Sequence, residues 1–181
     1  MVLMFLAHGF EEIEALATLD LLRRAEIEAY TVAVGEQMVT GSHGITVCAD
    51  KVISDITDLS KITAAILPGG MPGTLNLEKS ELLQNILDKL YTDFKLICAI
   101  CAAPSVLGHK GFLQNKKATC YPGFEQELFG ATYKNVPAIK DENIITARGA
   151  GASFDFAFTI IEALKNKETA KKIKDSILCQ A

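Results

Sequence analysis

Short apolar runs of strand length, separated by stretches with helical spacing, constrain this chain more than any other feature. Val2 to Ala7 is a continuous apolar run with a glycine close behind it. From Glu11 to Arg24 the pattern changes, and Ala15, Leu16, Leu19 and Leu22 fall on one stripe of a helix. "IEAYTVAV" (27–34) and "ITAAILPGG" (62–70) read as further strands, the latter stopped by Pro68-Gly69-Gly70. "SELLQNILDKLYTDF" (80–94) carries apolar residues at 82, 83, 86, 87 and 90 and leads into the strand "KLICAI" (95–100). "IITARG" (144–149) is a late strand before a helix that starts near Ala152. Strands apolar on both faces and alternating with helices require a parallel sheet covered on both sides. The expected fold is therefore α/β: a flavodoxin-like, doubly wound, mostly parallel sheet sandwiched by helices. Residues 35–60 and 116–143 break the alternation with short β-prone pieces such as "ITVCA" and "KATCY".

With 181 residues, 49% of them hydrophobic, the chain suffices for one well-buried core, so a single domain over 1–181 is expected. A net charge of -4 and a short basic cluster, Lys171 to Lys174, argue against a nucleic-acid partner. The start, "MVLMFLAHGFEE", is apolar for seven residues and has no basic segment before them, which fits neither a secretory signal nor a membrane span. A cytoplasmic protein without membrane association is expected. Five cysteines lie in apolar segments without metal-ligand spacing, which suits a reducing compartment and no metal.

In a doubly wound sheet the ligand crevice lies at the carboxyl ends of the strands. "HGFEEIE", "PGGMPG" and "CAAP" all fall there. Ala99-Ile100-Cys101-Ala102-Ala103 has small residues two positions either side of a nucleophile, the pattern of a tight turn from strand to helix. A thiol there sits where a helix begins, and unpaired amides at that end favour the thiolate, so a lowered pKa is expected. Pro104 fits the first helical turn. A buried, inert cysteine is the competing reading. Cys98 and Cys101 also spell C-x-x-C; in an extended strand their Cα atoms stand about 10 Å apart with side chains on opposite faces, beyond disulfide reach.

Of the histidines, His109 lies about 12 Å down the helix from Cys101, too far to serve as its base. His8 ends the first strand, within possible reach, and His43 is not placed by local pattern. Glu11, Glu12 and Glu14 occupy the entry and first turns of the first helix, where its dipole alone explains one or two of them. Glu14, adjacent to the apolar stripe, is the one that can turn into the crevice and meet the Cys101 sulfur, its own pKa raised so that the two groups share a proton. Amides of the Gly69-Gly70 loop and of Ala102 are candidates for an oxyanion site, although an ordinary turn explains the glycines equally well. No GK[ST] step follows the glycines, which argues against nucleotide phosphate, and no cofactor is expected.

Jointly, "HGFEEIEA", "LPGG", "AICAAP" and "TARGAGASFDFA" resemble the ThiJ/PfpI superfamily, in the branch of the parkinsonism-associated protein deglycase and its bacterial chaperone-like relatives. The resemblance runs from residue 3 to about 178. It implies a flavodoxin-like fold, usually a homodimer, with Cys101 as reactive nucleophile, Glu14 as the protonated acid touching it, and the amides of Gly70 and Ala102 flanking the sulfur. A pocket bounded by Gly69, Tyr121, Arg148 and His8 is expected, with Arg24, His43 and Cys48 on the dimer side. The family's activities include glutathione-independent conversion of methylglyoxal to lactate, repair of early glycation adducts, chaperone-like holding and oxidation of the cysteine under stress. The expected partner is thus a small aldehyde or glycated substrate. Two departures stand out: Tyr121-Pro122 replaces the histidine-proline of the animal deglycases, and His43 stands where the animal protein has an arginine. Peptidase or amidotransferase chemistry lacks a histidine beside the nucleophile.

Overall fold

Seven strands build the central sheet of the computed structural model, which describes residues 1–179. The last two residues of the expected 1–181 domain lie outside the described residues. The elements are β1 (Val2–Leu6), α1 (Glu12–Arg24), β2 (Ala29–Ala33), β3 (Met38–Thr40), β4 (Thr46–Cys48), β5 (Lys51–Val52), β6 (Ala64–Leu67), α2 (Gly73–Lys79), α3 (Glu81–Thr92), β7 (Leu96–Ile100) and α4 (Pro104–His109). They continue with β8 (Lys117–Ala118), β9 (Thr132–Tyr133), β10 (Ala138–Asp141), β11 (Ile144–Ala147), α5 (Ser153–Leu164) and α6 (Lys167–Ser176). The sheet order is β10-β11-β7-β6-β1-β2-β5. All its pairings are parallel except β10 with β11. The run β2-β1-β6-β7-β11 is the doubly wound order, and its reversal between β1 and β6 opens the crevice. The β-prone pieces of the two irregular regions become the β3–β4 hairpin and the small β8–β9 pair.

Alternation along each strand separates two cores. Val2, Met4, Leu6, Ile66, Cys98 and Ile100 pack with Leu19 and Leu22 of α1 and Phe156 and Ile160 of α5. Leu3, Phe5, Leu67, Ile97 and Ala99 pack on the other face with Leu83, Leu87 and Leu90 of α3 and Leu107 of α4. Each such fully buried side chain contributes about 1.5–3 kcal/mol. Leu82 departs from the expected α3 stripe: it is 54% exposed, because Leu83, Ile86, Leu87 and Leu90 already fill the buried face.

Caps place the helices that matter for the crevice. Glu11 caps α1, its Oε2 accepting the Glu14 amide at 2.6 Å, and Ser80 caps α3 through the Leu83 amide. Pro104 opens α4 at the position where a missing N–H costs nothing.

Candidate active site

At the carboxyl ends of β1, β6 and β7, three loops bring Glu14, Gly69, Gly70, Cys101 and Ala102 together. Cys101 leaves β7 in the left-handed region with φ 64°, a strained geometry for a residue with a Cβ, costing on the order of 1–3 kcal/mol. Its amide donates to Ala147 O at 2.9 Å, and its carbonyl accepts the Tyr121 amide at 2.8 Å, so the turn is tied on both sides. The reversal also moves its side chain onto the same core as Cys98 rather than to the opposite face expected of an extended run. Both cysteines are free.

Backbone amides of Gly70 and Ala102 act on the Cys101 sulfur and favour its charged form. Glu14, 1% exposed, reaches the same point from α1: its Oε2 accepts the Gly69 amide at 2.8 Å, and its carboxyl interacts with the Cys101 thiol. The other oxygen, Oε1, is buried and accepts no hydrogen bond. A buried carboxyl oxygen that accepts nothing is the natural place for the acid's proton. The loop must be glycine here. A Cβ on Gly69 would stand 2.6 Å from Cys101 Cβ and 2.8 Å from Glu14 Oε2, and one on Gly70, at φ 86°, would meet Glu11 N and Gly9 O at 2.5 Å.

The electrostatics follow from burial. Burial pushes the Glu14 carboxyl up to about 7, against the opposing Gly69 amide. Burial, then the Glu14 charge, push the Cys101 thiol up to about 12, against the amides of Gly70 and Ala102. The expected lowering by a helix start is therefore not met: α4 has only six residues and begins at Pro104, and two amides do not offset desolvation beside a carboxyl. The two groups titrate as a pair, so between about 7 and about 12 they hold one proton in common.

Tyr121, tied to the Cys101 carbonyl through its amide, has a 51% exposed side chain that lies against Gly149, where a Cβ would come within 3.2 Å of its ring. Tyr121, Pro122, Pro137, Arg148, Ala152 and Asp155 line a mainly apolar cavity of about 430 Å³. Arg148 is half-buried, with its amide on Pro137 O at 3.0 Å. His8 is exposed and holds scaffolding instead: its Nδ1 accepts the Thr40 amide at 3.1 Å, and its carbonyl accepts from Asn76 at 2.9 Å. Arg24 pairs with Asp20 on the outer face of α1 at 2.6 Å, and Cys48 is exposed on β4.

His43 belongs to an arrangement the local pattern does not reveal. Glu12, 4% exposed, receives the His43 amide at 2.7 Å, the His43 Nδ1 at 2.9 Å, Ser42 Oγ at 3.3 Å and the Ile45 amide at 3.4 Å. Burial raises its pKa, but the His43 and Ile45 donors outweigh that and hold it at about 2, while Glu12 in turn raises the His43 pKa. The only sequence signal was a third acid beyond what a helix dipole needs. Glu11, Glu12 and His43 each bring one metal-ligating atom within 4.8 Å of the others, but the Glu12 oxygens are already engaged by the hairpin.

Comparison with known proteins places this arrangement. The DJ-1/PfpI family model matches residues 1–163. The chain is 40% identical to Protein DJ-1 homolog A of Arabidopsis thaliana over 98% of its own length, and it spans 46% of that longer protein. It is 30% identical to the Glutathione-independent glyoxalase DJ-1 of Schizosaccharomyces pombe, over 97% of both chains. Among solved structures, the oxidized DJ-1 of Toxoplasma gondii superposes with a TM-score of 0.93 at 38% identity, covering 98% of this chain and 97% of that one.

Proposed function

Because the chain belongs to the DJ-1/PfpI family, we propose that it is a cysteine-dependent enzyme of the glyoxalase or deglycase type, acting on methylglyoxal and its early glycation adducts. The observation that carries this reading is the meeting of the Cys101 sulfur with two backbone amides and one buried carboxyl. The S. pombe relative, named a glutathione-independent glyoxalase, supports the substrate class.

In this mechanism the reactive form of the pair is thiolate plus carboxylic acid. The sulfur adds to the aldehyde carbon of methylglyoxal, and the oxyanion that forms is held by the amides of Gly70 and Ala102 and takes the Glu14 proton. The Glu14 carboxylate then removes the proton from the hemithioacetal carbon to give an enediolate and returns it to the neighbouring carbon, while the hydroxyl proton of the first carbon passes to the oxygen of the second, which leaves a lactoyl thioester. Water cleaves the thioester and restores the thiol, so methylglyoxal and one water become lactate. Glu14 does the work of a base without a histidine, and a carboxyl held at about 7 suits proton transfer at neutral pH. Tyr121 is not needed as a base; it lines a neighbouring cavity whose lining does not include Cys101. The test is glutathione-free methylglyoxal consumption with lactate detected, for native protein beside Cys101→Ser. Lactate formed by the native protein alone is the expected result, and a substantial residual rate in the variant removes the mechanism.

A second reading uses the same sulfur against peroxide, as a redox sensor or chaperone without turnover. Its support is that the similar Toxoplasma gondii protein was solved in oxidized form and that Glu14 stands ready to hydrogen-bond a sulfinate. Mass spectrometry after mild peroxide decides it: an unmodified Cys101 under conditions that oxidise Cys48 would remove this reading.

We infer further that one domain spans the chain and that it pairs as a homodimer in the cytoplasm. Exposed Ile13 on α1 and Met38 and Ile45 of the hairpin lie on the elements that carry Arg24, His43 and Cys48, and Glu12 joins helix to hairpin there. No helix among the described residues is long and apolar enough to cross a membrane. Light scattering at micromolar concentration should give twice the chain mass, and Ile45→Asp should halve it.

A further inference from the structure

Three segments that leave the crevice meet again behind it. α2 follows the Gly69–Pro72 loop and carries Glu78 in its last turn. α4 follows Cys101 and ends on His109, and the helical turn Glu125–Glu127 comes shortly after Tyr121. At their meeting point His109 Nδ1 contacts Glu78 Oε1, and His109 Nε2 contacts Glu127 Oε2 at 2.8 Å. The approach is close in the backbone as well. A Cβ on Gly108 would fall 2.0 Å from Glu127 O, and the Phe129 ring lies 5.0 Å from the imidazole.

A neutral imidazole has one N–H and one lone pair, whereas an ionised carboxylate only accepts. Both contacts are hydrogen bonds at once only when the ring carries two protons. We propose that His109 is a proton-operated clamp: as imidazolium it ties α2, α4 and the 125–127 turn together, and on losing a proton it releases the Glu127 arm. Release frees the segment that carries Tyr121 and so loosens the outer wall of the crevice. His109 is thereby a positioning residue, remote from the sulfur.

The charges around the ring support this device. Among the described residues, Glu78 and Glu127 are the charged groups acting on His109; burial opposes them, and their net effect raises its pKa above the ordinary 6.5. The neighbouring Lys110 is turned to Asp88 at 2.8 Å, and Glu125 accepts the Gly123 amide. Because the folded-state pKa is the higher one, the clamp is fully formed below 6.5 and is lost as pH rises through the raised value. The carboxylates are partly exposed, with side chains 32% and 45% accessible, so each arm is weakened by solvent.

The test follows the ring and the segment separately. Nitrogen NMR of the histidine side chains should show both His109 nitrogens protonated at about pH 7. Amide-exchange protection of residues 121–129 should fall roughly five- to tenfold as that ring titrates. Glu127→Gln, whose amide accepts from one ring form and donates to the other, should lose the pH step, Glu127→Ala should show the low protection at every pH, and His109→Lys, which keeps a cation, should lose the step. A singly protonated ring at neutral pH, or protection that ignores its titration, overturns the clamp. Only the link to turnover rests on the enzymatic reading: an alkaline step in kcat/KM for methylglyoxal, absent from Glu127→Gln, is expected. A protein without turnover would leave the exchange result standing, so the two failures are distinguishable.

Discussion

Glu12 and Glu14 stand two residues apart in the first turns of α1, both almost fully buried, yet their surroundings drive them in opposite directions. Glu12 is held at about 2 and Glu14 is raised to about 7. Burial is the largest influence on each and raises both; what differs is the number of donors. Glu12 gathers the His43 amide and ring, Ser42 Oγ and the Ile45 amide. Glu14 has the Gly69 amide on one oxygen, with its carboxyl against a thiol. A carboxyl that meets four donors becomes a structural anion. One that meets a single amide and a sulfur keeps its proton near neutrality and so becomes available for chemistry.

Exchanging each acid for its amide should separate the two roles. Glu14→Gln removes the titrating proton, and we expect methylglyoxal turnover to drop by roughly 10²–10⁴ with the fold intact. Glu12→Gln should do the reverse: turnover within a few-fold of native, but stability lower by about 1–3 kcal/mol in denaturant titrations, since charge-assisted bonds to the hairpin are lost. Comparable turnover loss in both variants would erase the distinction drawn here.

The pH dependence of stability should show the same contrast with opposite signs. Glu12, depressed in the fold, contributes stability above 4.5 that is lost as pH falls toward 2. Glu14, raised in the fold, contributes below 4.5, and that contribution is lost as pH rises through about 7. Denaturation midpoints across that range should therefore flatten on the acid side in Glu12→Gln and between about 4.5 and 7 in Glu14→Gln. Arg24→Ala supplies the smallest effect: its exposed pair with Asp20, four residues away on the same helix, should be worth no more than about 0.5 kcal/mol.

How far these roles were legible in the sequence depends on how local their causes are. The strands, the fold class and the crevice followed from runs and stripes a few residues long, and Cys101 was marked by its own neighbours, Ala99 and Ala103. Glu14 was reachable because it flanks the apolar stripe of α1. Glu12 was not, since its partners in the hairpin lie 31 residues away in the chain. His109 was equally hidden, with Glu78 31 residues before it and Glu127 18 after it. The direction of the Cys101 shift was misread because local pattern shows the helix start but not desolvation, which only packing creates. Leu82 marks the same limit on the α3 stripe, where neighbours decide which apolar residues find cover.

In the reactive form, Glu14 meets the sulfur as a neutral acid. The most direct measurement is the rate of Cys101 alkylation against pH, in native protein and in Glu14→Gln. If the pair shares one proton, thiolate forms as the pair gives up its first proton at about 7, so the native profile should show a step there that is absent from Glu14→Gln, where the thiol, freed of the Glu14 charge that raises it, titrates in a single alkaline step. A native profile without a step near 7, or a step that survives in Glu14→Gln, would contradict the shared-proton mechanism.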